Sequence, residues 1–179
     1  KAGFVGLLDA EFCRDFDRAA VSLNKLLTKT EGTSGRIGLR MHVSQAQAYT
    51  SLLEMLGGRD YVLLLSGVTG ANYIDAMNSL PYVEHHRSIW IEILSSEDAI
   101  QLLSVDNQPE AWVMKGHEGG GWIGDDTTYI LLQKLAKLEN TPPIYAQGGL
   151  GVHSAAACKV GGASGIVLDD QLLMMPESP

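Results

Sequence analysis

Short apolar runs alternate along the chain with longer stretches whose apolar residues recur every three or four positions, and Gly or polar residues mark each change of period. Gly3 to Leu8 predicts a first strand. Glu11 to Lys29, with Phe12, Phe16, Ala19, Ala20, Leu23, Leu26 and Leu27 at helical spacing, predicts a helix. Arg36 to Met41 predicts a second strand, and Ser44 caps a helix that runs through Leu56 and closes at Gly57-Gly58. Strands at Tyr61 to Ser66, Ser88 to Leu94 and Ala111 to Met114 follow. Between them lie helices over Ala71 to Leu80 and over Ala99 to Leu103, the latter opened by Ser96-Glu97-Asp98. After a glycine-rich loop come a helix at Thr127 to Leu138, a strand at Pro143 to Ala146, a helix at His153 to Lys159 and a strand at Gly165 to Leu168.

Seven continuous apolar strands at this cadence imply a parallel sheet covered on both faces, joined by right-handed crossovers. That leaves an open doubly wound sheet or a closed barrel. A dinucleotide-binding sheet carries a glycine-rich turn after its first strand, whereas Leu7-Leu8-Asp9-Ala10-Glu11 stands there. The glycines fall instead after the last three strands, where a (βα)8 barrel places its phosphate-binding loops. The expected fold is therefore α/β and TIM-barrel-like, with about seven strands, as one domain over residues 1–179.

Composition narrows the picture. With 45% hydrophobic residues the chain has material for a core, and 13 Lys and Arg against 21 Asp and Glu give a formal charge of -8, with no basic run to meet nucleic-acid phosphates. No apolar stretch approaches the roughly 20 residues of a membrane span, and the first residues lack signal-peptide order. Cys13 and Cys158 stand far apart and suggest neither a disulfide framework nor a zinc site, so a cytoplasmic setting and no metal are expected.

The densest local feature is Lys115-Gly116-His117-Glu118-Gly119-Gly120-Gly121-Trp122-Ile123-Gly124, five glycines in nine residues directly after a strand. Either a ligand approaches this backbone closely or the loop has no room for side chains. Within it, His117 is a candidate general base, Glu118 an acceptor for backbone N–H groups, Trp122 a stacking surface, and Lys115 a cation for a phosphate or cofactor oxygen. Gln147-Gly148-Gly149-Leu150-Gly151 and Gly161-Gly162-Ala163-Ser164-Gly165 are further candidate phosphate turns. Glu92 shares a strand face with Trp90 and Leu94; turned inward it needs a cation, for which Arg40 and Lys115 are the candidates. His42 lies beyond a strand end, His85 and His86 on a polar connection, Asp169 and Asp170 at the close of the last strand, and both cysteines in amphipathic helices as core thiols.

The ordered set Val113 to Gly124, the Thr127 to Leu138 helix, Pro143-Ile144-Tyr145-Ala146-Gln147-Gly148-Gly149-Leu150, and Gly162 to Asp169 resembles the superfamily of nitronate monooxygenases (2-nitropropane dioxygenases) and FMN-dependent enoyl reductases. The likeness covers about residues 88 to 178 and includes Pro176-Glu177-Ser178. The Lys before the first Gly and the Gln before the Gly pair look like domains at the start of polyketide or polyunsaturated fatty acid synthases. The resemblance implies a TIM barrel that binds FMN at the carboxyl ends of its strands. Gly148 and Gly149, with Ser164 and Gly165, would hold the phosphate, and Lys115 or Gly116 would approach the ring. It further implies reduction of an acyl-thioester double bond, NAD(P)H as electron donor, and an acyl carrier protein or other synthase domains as partners. In the nitronate enzymes a catalytic histidine follows the corresponding glycines; Trp122 occupies that position here, which leaves His117 as the loop's imidazole. Full members begin one strand earlier, so the resemblance also admits a barrel kept as a non-catalytic docking or structural module.

Overall fold

The computed structural model describes residues 4–32, 35–57, 59–81, 87–169, 171–172 and 176. The expectations at Gly3, Gly58, His85, His86, Asp170, Glu177 and Ser178 lie outside them. The chain order is β1 (Val5–Asp9), α1 (Phe16–Thr30), β2 (Arg36–His42), a 3-10 turn (Val43–Gln45), α2 (Thr50–Met55), β3 (Tyr61–Ser66), α3 (Tyr73–Ser79) and β4 (Arg87–Ile93). It continues with α4 (Ser96–Leu103), β5 (Ala111–Lys115), α5 (Thr128–Leu135), β6 (Ile144–Gln147), α6 (Val152–Val160) and β7 (Gly165–Val167). The seven strands lie in sequence order in one sheet, an α/β arrangement consistent with part of a TIM barrel. Among the described residues no helix is long and apolar enough to cross a membrane.

The chain divides into two compact units, Lys1–Val68 with Asn72–Trp90, and Thr69–Ala71 with Ile91–Pro179. In the first unit β1, β2 and β3 form parallel ladders, with Leu8 opposite Leu39 and Leu39 opposite Leu63. Ile37 to Met41 and all of β3 are buried on both faces, the signature of a covered parallel sheet. Leu23 and Leu27 of α1 and Leu52 and Leu53 of α2 complete this core. In the second unit β5, β6 and β7 are likewise parallel, Met114 opposite Ala146 and Ala146 opposite Ile166. Trp112, Val113 and Met114 are sealed beneath Leu131, Leu132 and Leu135 of α5.

Among the helix boundaries that differ from the periodic reading, two do so because a side chain takes a backbone partner first and one because its last turn tightens. The helix expected from Glu11 begins at Phe16: Asp9 Oδ1 accepts the Glu11 N–H at 2.9 Å, and Asp15 caps α1 by accepting the Arg18 N–H at 3.0 Å. Phe12 is therefore exposed, and Cys13 lies half-buried in the turn before α1, not in a helix as expected; Cys158 is buried in α6. The helix expected from Ser44 is a 3-10 turn before a shorter α2, because His42 Nδ1 accepts the Ser44 N–H and Gln45 Oε1 accepts that of His42. The helix expected to reach Leu138 ends at Leu135, its last turn tightening to the bonds Lys137 N–H to Lys134 O and Leu138 N–H to Leu135 O.

Candidate functional site

Alternation along β4 turns Glu92 inward, and β5 ends on Lys115. The Lys115 side chain is 0% exposed and that of Glu92 1%, with Nζ 3.2 Å from Glu92 Oε1. Nζ also donates to the Gly120 carbonyl at 3.0 Å, so one buried ammonium ties the sheet interior to the glycine loop. Lys115 is thus the cation that answers Glu92. Arg40, the other candidate, belongs to the first unit, where it meets Asp9 at 3.2 Å and Glu11 at 2.8 Å.

Beyond Lys115 the loop folds back on itself. The His117 N–H donates to Asp126 O at 2.9 Å, and its exposed ring places Nδ1 3.4 Å from Asp125 O. Glu118 reaches the start of α5, where its Oε2 accepts from the Thr128 N–H at 2.9 Å and lies 3.1 Å from the Thr128 hydroxyl. That hydroxyl is also 3.1 and 3.0 Å from the carbonyl oxygens of Gln147 and Gly148, so buried Thr128 joins the β5 loop, α5 and the end of β6. Thr127 supplies the second cap, accepting the Ile130 N–H.

Desolvation pushes the Glu118 carboxyl upward, but the N–H groups of Thr128 and of Glu118 itself, the Thr128 hydroxyl and the charge of His117 outweigh it. The net shift is downward from 4.5. A carboxyl lowered on folding stabilises the fold above its unfolded pKa, and that contribution is lost as pH falls through the folded value. Exchange of the Thr128 amide should therefore accelerate as pH drops below the ordinary glutamate range, once corrected for the intrinsic rate. Glu118→Gln should remove that dependence. Protection that is the same in both proteins across the range would dismiss Glu118 as the cap.

Packing accounts for most of the glycines. A side-chain carbon on Gly116 would strike the Thr128 nitrogen and hydroxyl, and one on Gly124 the Leu94 carbonyl oxygen. On Gly119 it would lie 2.8 Å from Lys115 Cγ, and on Gly148 2.8 Å from Thr128 Oγ1. Gly148 and Gly149 also have φ of +113° and +61°, where L side chains are strained. Gly120 and Gly151 differ: a carbon added at either meets nothing within 4 Å, and neither is among the described residues with positive φ. The protein's own packing does not ask for glycine there.

Ser164 and Gly165 do not join Gly148 and Gly149. The Ser164 N–H donates to Ile144 O, at the first residue of β6, and Gly165 lies opposite Tyr145; Gly148 follows the last. Four strand residues at about 3.3 Å each separate the two turns. One turn leaves a strand and the other enters the next, so they lie at opposite ends of the sheet and cannot share one phosphate. The residue of β7's far end that does reach this region is Asp169, whose Oδ2 accepts from Gln147 Nε2 at 3.0 Å.

Trp122 is 59% exposed on the same loop. His42 ends β2 in the first unit, its Nδ1 2.8 Å from Ser44 Oγ and its ring filling the space that a side chain on Gly67 would need. Two features escaped the sequence reading. Thr128 resembles an ordinary helix cap, and Glu11 an ordinary first-turn glutamate; only the glycine at 116, which leaves room for Thr128, was a visible signal.

No family profile matches the chain, and no curated protein matches it in sequence. Among solved structures, FabK from Thermotoga maritima has a TM-score of 0.74 at 20% identity, over 98% of this chain and 53% of that one. A point mutant of the same protein gives 0.74 at 19% identity, over 99% and 56%. A designed cube-shaped protein cage of fused symmetric oligomeric domains gives 0.51 at 11%, over 93% and 62%. At these identities the likeness is one of fold. The chain spans about half the length of the FabK chains it matches.

Proposed function

We propose that this chain is part of a flavin-dependent oxidoreductase that reduces the carbon–carbon double bond of an acyl thioester, with NAD(P)H as electron donor, as one domain of a polyketide or fatty acid synthase. The observation that carries this reading is the open backbone at two glycines, where an added side-chain carbon meets nothing within 4 Å. Gly120 and Gly151 stand exposed in the loops after β5 and β6, at the strand ends where barrels of this class bind ligands. The fold shared with FabK and the sequence resemblance to flavin-dependent enoyl reductases supply the reaction class.

A bound flavin would supply the hydride. The chain's own residues would provide the rest. Open backbone at Gly120 and Gly151 would admit a flat group, the exposed Trp122 face would stack on it, and His117 at the loop surface would serve as the proton carrier. Lys115 and Gly116 act from beneath, by fixing the loop. Trp122 carries only an indole N–H donor, so nitronate deprotonation through that position is not part of this proposal. The open backbone at Gly120 and the exposed Trp122 are the residues that would hold the ring.

A second reading, a barrel kept as a structural or docking module, draws on the occupancy of the same loops by protein. Thr128 fills the space beside Gly116 and Gly148, and Lys115 is held by Glu92 and Gly120. The two readings separate on Gly120→Leu. The flavin reading expects a 300 to 550 nm band, or a saturable change on flavin titration, that Gly120→Leu abolishes with urea stability unchanged. Gly116→Ala should instead cost about 1–3 kcal/mol through overpacking against Thr128. A colourless protein that no flavin saturates would leave the module reading standing.

A further inference from the structure

The imidazole that closes β2 in the first unit has two contacts on one nitrogen. His42 Nδ1 accepts the Ser44 N–H at 3.2 Å, and it also lies 2.8 Å from Ser44 Oγ. The first contact settles the direction of the second. A ring nitrogen that accepts from a backbone N–H carries no proton, so the neutral ring holds its hydrogen on Nε2, and the Ser44 hydroxyl donates to Nδ1. The 3-10 turn does not need that hydroxyl. Its capping bonds use the Ser44 N–H on Nδ1 and the His42 N–H on Gln45 Oε1.

The oxygen of that hydroxyl is open to a ligand. Among the described residues no group donates to Ser44 Oγ, and Ser44 is exposed at a cleft of about 330 Å³. One wall of the cleft is the segment after β2, with Val43, Ala46 and Gln47; the other is α3, with Asp75 and Ala76. Both walls follow the carboxyl ends of parallel strands, where barrels carry their reactive side chains. Gly67, just past β3, keeps room for the ring: its φ is +73°, and a side-chain carbon there would strike His42 Nε2. The Gln47 carboxamide, with no hydrogen-bond partner among the described residues, brings N–H donors to the cleft for a developing oxyanion. The Asp75 carboxylate disfavours anionic acyl groups.

We propose that Ser44 is a nucleophile activated by His42, and that this cleft transfers acyl groups from uncharged esters or thioesters to water. Oγ forms a bond to the acyl carbon as its proton passes to Nδ1; the bond from that carbon to oxygen or sulfur breaks, and the leaving group takes the proton. Water then attacks the acyl-serine and gives its proton to Nδ1, from which Ser44 recovers it. Nothing is oxidised or reduced. The activity therefore needs no flavin, and it stands or falls separately from the reading proposed above.

The test is rapid-mixing hydrolysis of p-nitrophenyl acetate by the full chain without added flavin, with peptide mass mapping of the acetylated protein and of protein treated with diisopropyl fluorophosphate. A burst of about one p-nitrophenolate per chain is expected, with the acetyl and the diisopropylphosphoryl group both on Ser44. Ser44→Ala should abolish the burst and both adducts with far-UV circular dichroism unchanged, because alanine keeps the N–H that caps the turn. His42→Asn keeps a side-chain acceptor for that N–H but no base, and should slow acylation about a hundredfold or more. Adducts confined to residues other than Ser44 would overturn the proposal, a result that the parent protein gives without any variant. Hydrolysis undiminished in Ser44→Ala, or Ser44 modified as fast in His42→Asn as in the parent, would overturn it equally.

Discussion

Lys115→Met should destabilise the protein by about 3–5 kcal/mol, the usual cost of leaving one member of a buried ion pair uncompensated. Glu92 is the residue stranded: its carboxylate is 1% exposed, beyond the reach of solvent. Lys115→Met with Glu92→Leu should recover most of the loss, because two apolar side chains replace two charges that both had to be desolvated. Urea denaturation of the two single variants and the double variant gives the coupling directly. Additive losses would mean that the pair does not act as a unit. Amide exchange in residues 116–124 should rise in Lys115→Met and stay raised in the double variant, since neither retains the donor to Gly120 O.

The second large effect lies in the first unit. Arg40→Met should also cost about 3–5 kcal/mol, because the Glu11 side chain, 1% exposed, loses its guanidinium partner at 2.8 Å. Asp9 meets the same guanidinium but is 55% exposed, so Asp9→Asn should cost under about 1 kcal/mol. The contrast between two carboxylates on one cation is the informative part. Equal losses for Arg40→Met and Asp9→Asn would assign the stabilisation to Asp9 and leave Glu11 without a role. Glu11→Leu combined with Arg40→Met should be less damaging than Arg40→Met alone.

The buried strands were legible as apolar runs covered on both faces, and Tyr61–Ser66 coincides with its expectation residue for residue. Helix starts were less legible. Periodicity extends α1 back over Phe12 and Glu11, but the chain there is bound by Asp9 and Asp15, and the partner that draws Glu11 inward lies 29 residues away. The Glu92 and Lys115 pair was within reach, since period-two alternation turns Glu92 inward and Lys115 closes the following strand. The grouping of Gly148 and Gly149 with Ser164 and Gly165 failed on a point of direction. Glycines that precede a parallel strand and glycines that follow one stand at opposite ends of the sheet, however close they are in sequence.

Thr128 has a consequence for how this sequence can change. Its nitrogen and hydroxyl occupy the space beside Gly116, its hydroxyl lies where a side chain on Gly148 would begin, and Glu118 closes the arrangement from the loop. Four positions on three segments therefore form a lock with a fixed order of opening. Alanine at 116 is tolerated only after the segment at 128 has moved, and a larger residue at 128 closes the gap that both glycines keep clear. Gly120 and Gly151 stand outside the lock, so drift or design can reshape the rim of this loop cluster at those two positions while its base stays as it is.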